Sequence, residues 1–251
     1  MRKIALITGG SRGLGKSIAL HLADKGHDAI VTYHSRRNEA ENVVGAIRDL
    51  GGEAVALQLD VTKPETFPAF AEAVRGALTD TWDRERFDAL VNNAGMGLFK
   101  ELMQTTEEDF DLLVSAHLKA PLFLSQQLLP LMSDGGRILN VSSGLARFTL
   151  PGYAAYASMK GAVEVLTRYM AKELARRRIA VNVLAPGAVE TDFNGGAVRD
   201  NKDLNAFVAA NTALGRVGLP EDIGRAAAAL LDDECGWING QRIEASGGMF
   251  L

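Results

Sequence analysis

"TGGSRGLG", residues 8–15, ends the apolar run "KIALIT" (3–8) and opens the helical pattern "LGKSIALHLADKG" (14–26). Glycines fall at Gly9, Gly13 and Gly15. Without Cβ atoms there, the backbone can approach a diphosphate closely. The N-terminus of the helix that follows supplies free N–H groups and the positive end of its dipole. A glycine loop alone is a weak signal, but a loop set between strand and helix predicts a nucleotide cradle. The plainer alternative is a tight strand-to-helix turn.

Further along, short apolar runs alternate with longer helical patterns. Strands are predicted at "DAIVTY" (28–33), "EAVALQLD" (53–60), "FDALVNNAG" (87–95), "GRILNVSS" (136–143), "IAVNVLAP" (179–186) and "GQRIEAS" (240–246). Helices are predicted at 36–52, at "PETFPAFAEAVRGAL" (64–78), at about 107–132 and at about 153–177. Most of these strands are apolar throughout, as strands covered on both faces should be. The alternation predicts an α/β fold with a mostly parallel sheet and helices on both faces. Residues 1–251 read as a single domain with no repeat. The least regular stretch is 187–215, with Gly195–Gly196 and "RDNKDLN"; it reads equally as a substrate lid or as a solvated connection.

Composition narrows the function. The chain has 251 residues, 47% of them hydrophobic and 23% charged, which suits one α/β domain with a sizeable core. A net charge of −4 without a long basic run argues against nucleic-acid binding. No apolar stretch approaches the roughly 20 residues needed to span a bilayer. The single cysteine, Cys235, cannot form an internal disulfide, so a cytoplasmic protein is expected. His21, His27, His34 and His117 show no metal-ligand spacing.

Five motifs, "TGGSRGLG", "NNAG" (92–95), "NVSS" (140–143), "YASMK" (156–160) and "PGAVET" (186–191), occur in one order over nearly the whole chain. In this the chain resembles the classical short-chain dehydrogenase/reductase family. The resemblance implies a single Rossmann-type doubly wound domain, a seven-stranded sheet of order 3-2-1-4-5-6-7 and a homotetramer or homodimer built on the two long helices. "TALGRVGLPEDIG" (212–224) and "INGQRIEASGG" (238–248) lean towards 3-oxoacyl-thioester reductases, although "EASGG" replaces the common "V-D-G-G" ending.

A nicotinamide cofactor then fits the cradle formed by Gly9, Ser11, Arg12, Gly13, Leu14 and Gly15. NAD binders place a carboxylate at the end of the second strand. Here Asp28 opens that strand, and its end reads Tyr33, His34, Ser35, Arg36. With Arg12 nearby, these donors suit a 2′-phosphate, so NADP(H) is expected. By resemblance, Asp60 and Val61 border the adenine, and Asn92, Ala94 and Gly95 lie beside the adenosine. Asn92 can instead brace the sheet. Pro186, Gly187, Val189 and Thr191 would flank the nicotinamide.

In "YAAYASMK" (153–160), Tyr156 and Lys160 are one helical turn apart and share a face. A free phenol has a pKa near 10, and a nearby ammonium should lower it. Tyr156 is thus predicted to be the acid/base, Lys160 its cationic partner and ribose holder, and Ser143 a donor to the substrate oxygen. Tyr153 also shares that face, and some enoyl-thioester reductases of this superfamily use Tyr-x6-Lys. Ser143 and the "PG" at 186–187 favour Tyr156. His117 stands where the family carries a relay asparagine, and can be a relay or a buried structural residue. Met96, Leu145, Phe148, Tyr153 and Phe193 are the candidate pocket residues. Their character suits a small-molecule carbonyl or alcohol with an apolar part. A non-catalytic redox sensor is the alternative from another class, though it has no need of Ser143, Tyr156 and Lys160 together.

Overall fold

Seven parallel strands form one sheet in the order 3-2-1-4-5-6-7, as expected. The computed structural model describes residues 2–251. The strands are β1 (Lys3–Ile7), β2 (His27–Tyr33), β3 (Ala54–Gln58), β4 (Phe87–Asn92), β5 (Met132–Val141), β6 (Ala180–Pro186) and β7 (Arg242–Ala245). Ala5 of β1 lies opposite Ala29 of β2 on one side and Ala89 of β4 on the other. The chain order reverses at that point. A crevice therefore opens beyond the C-terminal ends of β1 and β4, where ligands of such sheets bind.

Alternate residues of β1 feed two cores. Ala5 and Ile7 pack under α1 (Gly13–Asp24), α2 (Arg37–Asp49) and α9 (Pro220–Leu230), with Ile18, Leu22, Ile47 and Ile223. Ile4 and Leu6 face α3 (Phe67–Trp82) and later helices, with Phe67, Val74, Leu78 and Leu124. Each buried Ile or Leu side chain contributes roughly 1.5–3 kcal/mol. The all-apolar strands follow directly from this two-sided burial.

Several boundaries differ from the sequence reading. The third helix begins as a 3₁₀ turn at Pro64–Thr66 and continues to Trp82, where Asp83 ends it in a left-handed conformation (φ 51°). β3 stops at Gln58, so Asp60 lies beyond the strand rather than closing it. β5 starts at Met132 and carries an irregularity before Arg137. The stretch at 187–215 is irregular only in part: it holds α7 (Ala197–Asp200) and α8 (Lys202–Ala210), anchored by buried Val208 against Val217 and Met249. The sequence reading assigned no element to α9, whose first turn is set by Pro220.

The long helix predicted at 107–132 is composite. It runs as α4 (Glu107–Val114), a π segment (Ser115–Leu124), α5 (Ser125–Leu128) and a 3₁₀ turn (Leu129–Leu131). Pro121 explains the change. It has no N–H to offer the carbonyl of His117 four residues earlier, and its ring crowds that carbonyl. The π pattern lets the carbonyl seek a donor five residues on instead. His117 thus sits on a locally underwound turn, beside the loop that follows β4.

Candidate active site

The glycine loop is braced from β4. Thr8 Oγ1 accepts from the N–H groups of Asn93 and Ala94, both at 2.9 Å. The Asn93 side chain donates to the Thr8 and Gly9 carbonyls at 2.9 and 3.3 Å. A Cβ on Gly15 would lie 2.2 Å from the Gly9 carbonyl oxygen, and Gly9 has φ 64°. These two glycines are demanded by the backbone itself. Gly13 faces Thr191, whose side chain would stand 3.7 Å from an added Cβ. Asn93 went unnoticed in the sequence because its neighbour carries the same side chain. Asn92 instead points into the core, donating to Asn140 Oδ1 at 2.8 Å and Ser125 Oγ at 3.1 Å. That is the sheet-bracing role.

Polar side chains follow the end of β2. His34, Ser35 and Arg36 are exposed, and His34 Nε2 lies 3.5 Å from Asp60 Oδ2. Burial opposes the charge of Asp60, but hydrogen bonds from the Thr62 hydroxyl and N–H hold its pKa below the usual carboxylate value. Val61 packs on the core edge. Arg36 pairs with Glu39 at 2.8 Å, and Arg12 lies 3.5 Å from Asp192. The guanidinium of Arg36 is held charged first by Glu39 and also by Asp192. Asp192 thus acts electrostatically on both arginines. An anion near this point fits the donor set. Asp28 is engaged elsewhere, by Arg2 at 2.9 Å, Trp82 at 3.0 Å and the Glu53 N–H at 2.9 Å.

α6 (Ala154–Glu173) buries Tyr156, Lys160, Val163, Thr167 and Met170 along one stripe. Tyr156 and Lys160 therefore stand on its core face. Lys160 Nζ donates to the Val141 carbonyl at 2.8 Å and lies 5.4 Å from the Tyr156 ring centre. Burial pushes the ammonium down to about 7. The Ser143 hydroxyl accepts from the Leu145 N–H at 3.2 Å and lies where it favours the ionised Tyr156 phenol. The phenol departs from expectation. Burial raises its pKa, only partly opposed by Ser143. The predicted lowering by Lys160 fails here because the phenolate would be desolvated.

His117 is buried, and its ring meets that of Tyr156 edge-on with centroids 5.3 Å apart. Nε2 donates to the Met96 carbonyl at 2.7 Å, which leaves Nδ1 as the lone-pair nitrogen. That Nδ1 is buried and has no partner. Burial, and after it the positive Lys160, push the imidazole down to about 3, so it is neutral.

The candidate pocket residues separate. Leu145 and Tyr153 line an apolar cleft of about 350 Å³, with Glu101, Leu102, Thr149 and Pro151. Tyr153 stacks edge-on with Phe99 at 5.3 Å. Phe193 lies 5.9 Å from the Tyr156 ring, and Met96 is on the loop that His117 holds. Phe148 turns away and packs on Phe250 at 5.0 Å. Pro186 ends β6, Gly187 donates to the Ala245 carbonyl at 3.1 Å, and Val189 bridges to Gly218. Leu14 packs against the core, Ser11 lies in the glycine loop, and Ala94 is tied to that loop through Thr8. Glu101 and Asp192 were not found from the sequence, where each is one acid among many.

Among the described residues, no group of His, Cys, Asp and Glu could hold a metal, and no helix is long and apolar enough to cross a membrane. Comparison with known proteins gives consistent relatives. A family model described as enoyl-(acyl carrier protein) reductase matches residues 9–250. The hydroxynaphthalene reductase-like protein Arp2 of Metarhizium brunneum is 39% identical, with 98% of this chain and 94% of the relative covered. Tetrahydroxynaphthalene reductase PfmaG of Pestalotiopsis fici is 37% identical, with 98% and 91% covered. The solved angucycline C-6 ketoreductase LanV with bound NADP is 34% identical, covers 99% of this chain and 95% of its own, and has a TM-score of 0.94. The reductase LugOII, which catalyses keto-reduction at C1 during lugdunomycin biosynthesis, is 37% identical, with 99% and 98% covered and a TM-score of 0.94.

Proposed function

The chain belongs to the short-chain dehydrogenase/reductase family, and from that premise we propose that it is an NADP(H)-dependent ketoreductase with Tyr156 as its acid/base. The observation that carries the reading is the joint burial of Tyr156 and Lys160 on one helix face, with Lys160 Nζ 5.4 Å from the phenol ring centre. Bound at the glycine loop, the cofactor would supply the hydride. Gly9 to Gly15 would hold its diphosphate, and Arg12, His34, Ser35 and Arg36 its 2′-phosphate. The solved relative with NADP supports the choice of cofactor.

Each protein group then has one task. The Ser143 hydroxyl donates to the substrate oxygen and steadies the charge that develops there. The Tyr156 hydroxyl gives that oxygen its proton. Burial keeps the phenol protonated at neutral pH, which is the form reduction requires. Lys160, held at about 7, can return a proton to the tyrosine after turnover. His117 offers the bare Nδ1 as an acceptor for a relay water. Reduction of a ketone, rather than of a C=C bond, is favoured because Tyr153 lies out at the cleft beside Phe99 while Tyr156 sits against Lys160.

The relatives named for hydroxynaphthalene and angucycline chemistry, together with the apolar cleft, suggest a ketone on a flat polycyclic frame. The chain is proposed to work in the cytoplasm as a homotetramer or homodimer. Ketone-dependent NADPH oxidation, with the alcohol product identified, tests the reading.

A further inference from the structure

We propose that Glu101 is a specificity-determining residue that makes the cleft accept uncharged, hydroxyl-bearing ketones and reject anionic ones, including acyl groups carried on phosphate-bearing thioesters. The inference rests on the proposed ketoreductase reading and adds a substrate filter to it.

Glu101 carries the one charge among the cleft-lining side chains; Leu102, Leu145, Leu150 and Pro151 supply apolar walls. Lys100, its neighbour, cannot neutralise it, because its ammonium is committed to Asp109 at 2.5 Å. Asp109 in turn is fixed by the capping box with Thr106 at the start of α4. Further acids follow, with Glu107 and Glu108 in that first helical turn. No Lys or Arg lines the cleft. The nearest paired arginine on the Ser143 loop, Arg147, is engaged by Glu244 at 2.7 and 2.8 Å and by the Met249 carbonyl at 2.7 Å.

Such a rim acts on charge in two ways. A carboxylate beside low-dielectric walls repels an incoming anion more strongly than it would in bulk water. It also accepts hydrogen bonds, so a phenolic or alcoholic O–H gains a partner there. A carrier-bound acyl group entering by this mouth would bring phosphate charges to it. The site therefore departs from the thioester lean of the "TALGRVGLPEDIG" and "INGQRIEASGG" segments. Because Glu101 is exposed, its field is screened over roughly 8 Å at physiological salt. The filter should be modest and should fade as salt rises.

The test is calorimetric binding of 2-naphthol and 2-naphthoate, a matched neutral and anionic pair, to the NADP⁺-saturated protein and to Glu101→Gln. Wild type should prefer the naphthol. The variant should tighten naphthoate by at least about threefold without tightening naphthol, and high salt should close the gap in wild type. Naphthoate binding unchanged by the substitution, or no binding of either ligand, overturns the proposal. NADPH oxidation with 2-tetralone on the same preparations reports separately on the ketoreductase reading. Turnover without charge discrimination leaves that reading and removes this one; discrimination without turnover of 2-tetralone keeps the charge filter at the cleft and counts against the ketone as its substrate.

Discussion

Lys160 donates its ammonium hydrogen bond to the carbonyl of Val141, at 2.8 Å, from inside the core stripe of α6. β5 thus fixes the height of the lysine, and the lysine stands 5.4 Å from the Tyr156 ring centre as a result. Burial holds this amine at about 7, against an ordinary lysine value near 10.4. Between those values the folded chain binds fewer protons than the unfolded chain. Stability from this group therefore rises with pH across that window and is lowest below it. Lys160→Met should melt higher than wild type near pH 6, without cofactor, and the advantage should shrink towards pH 9. Parallel melting profiles for the two proteins would count against a buried amine of this kind.

Arg12 and Arg36, proposed holders of the 2′-phosphate, both feel Asp192. Arg12→Gln and Arg36→Gln should each raise KM for NADPH by about tenfold, since a charge-assisted fork is lost. KM for NADH should stay within about twofold. Steady-state kinetics with both cofactors decide the matter. An equal effect on both cofactors would place these arginines outside the phosphate site.

The loop after β4 is held against His117. A Cβ on Gly95 would lie 2.4 Å from His117 Cε1. Gly95→Ala should therefore destabilise the fold by about 1–3 kcal/mol, the usual range for overpacking. In a His117→Ala background the same change should cost almost nothing. Chemical denaturation of the four proteins gives the coupling directly, and additive effects would show that the imidazole is not what fills this space.

His117 itself should matter through its free nitrogen. His117→Asn retains an acceptor, whereas His117→Leu removes it. If Nδ1 serves a relay water, His117→Leu should lower kcat about tenfold with KM for ketone little changed, and His117→Asn should recover most of it. Equal losses in both variants would leave the residue a purely structural one.

What could be read in the sequence was what depends on local chemistry. The glycine loop, the two-sided strands and the Tyr156–Lys160 spacing each follow from a short run of residues, and the sheet order agrees with the family pattern. The composite helix was less legible. Pro121 signalled a disturbance at the His117 carbonyl, but an apolar helical pattern continues through it. α7 and α8 escaped because they are short and lie among glycines and polar residues, and only Val208 is buried in them. Burial was the deeper omission. Spacing shows that Lys160 faces Tyr156, yet the cost of removing a phenolate from water depends on packing from β5, His117 and Phe193. The same holds for Phe148, whose aromatic partner Phe250, itself packed on Phe207, is far away in the chain.

The central claim is that Tyr156, and not Tyr153, hands the proton to a ketone. It is tested most directly by following NADPH oxidation with 2-tetralone and with an enoyl thioester, for wild type, Tyr156→Phe and Tyr153→Phe. The account predicts ketone turnover that falls at least about a hundredfold in Tyr156→Phe and changes less than about tenfold in Tyr153→Phe. Enoyl turnover that depends on Tyr153 and survives Tyr156→Phe would contradict it.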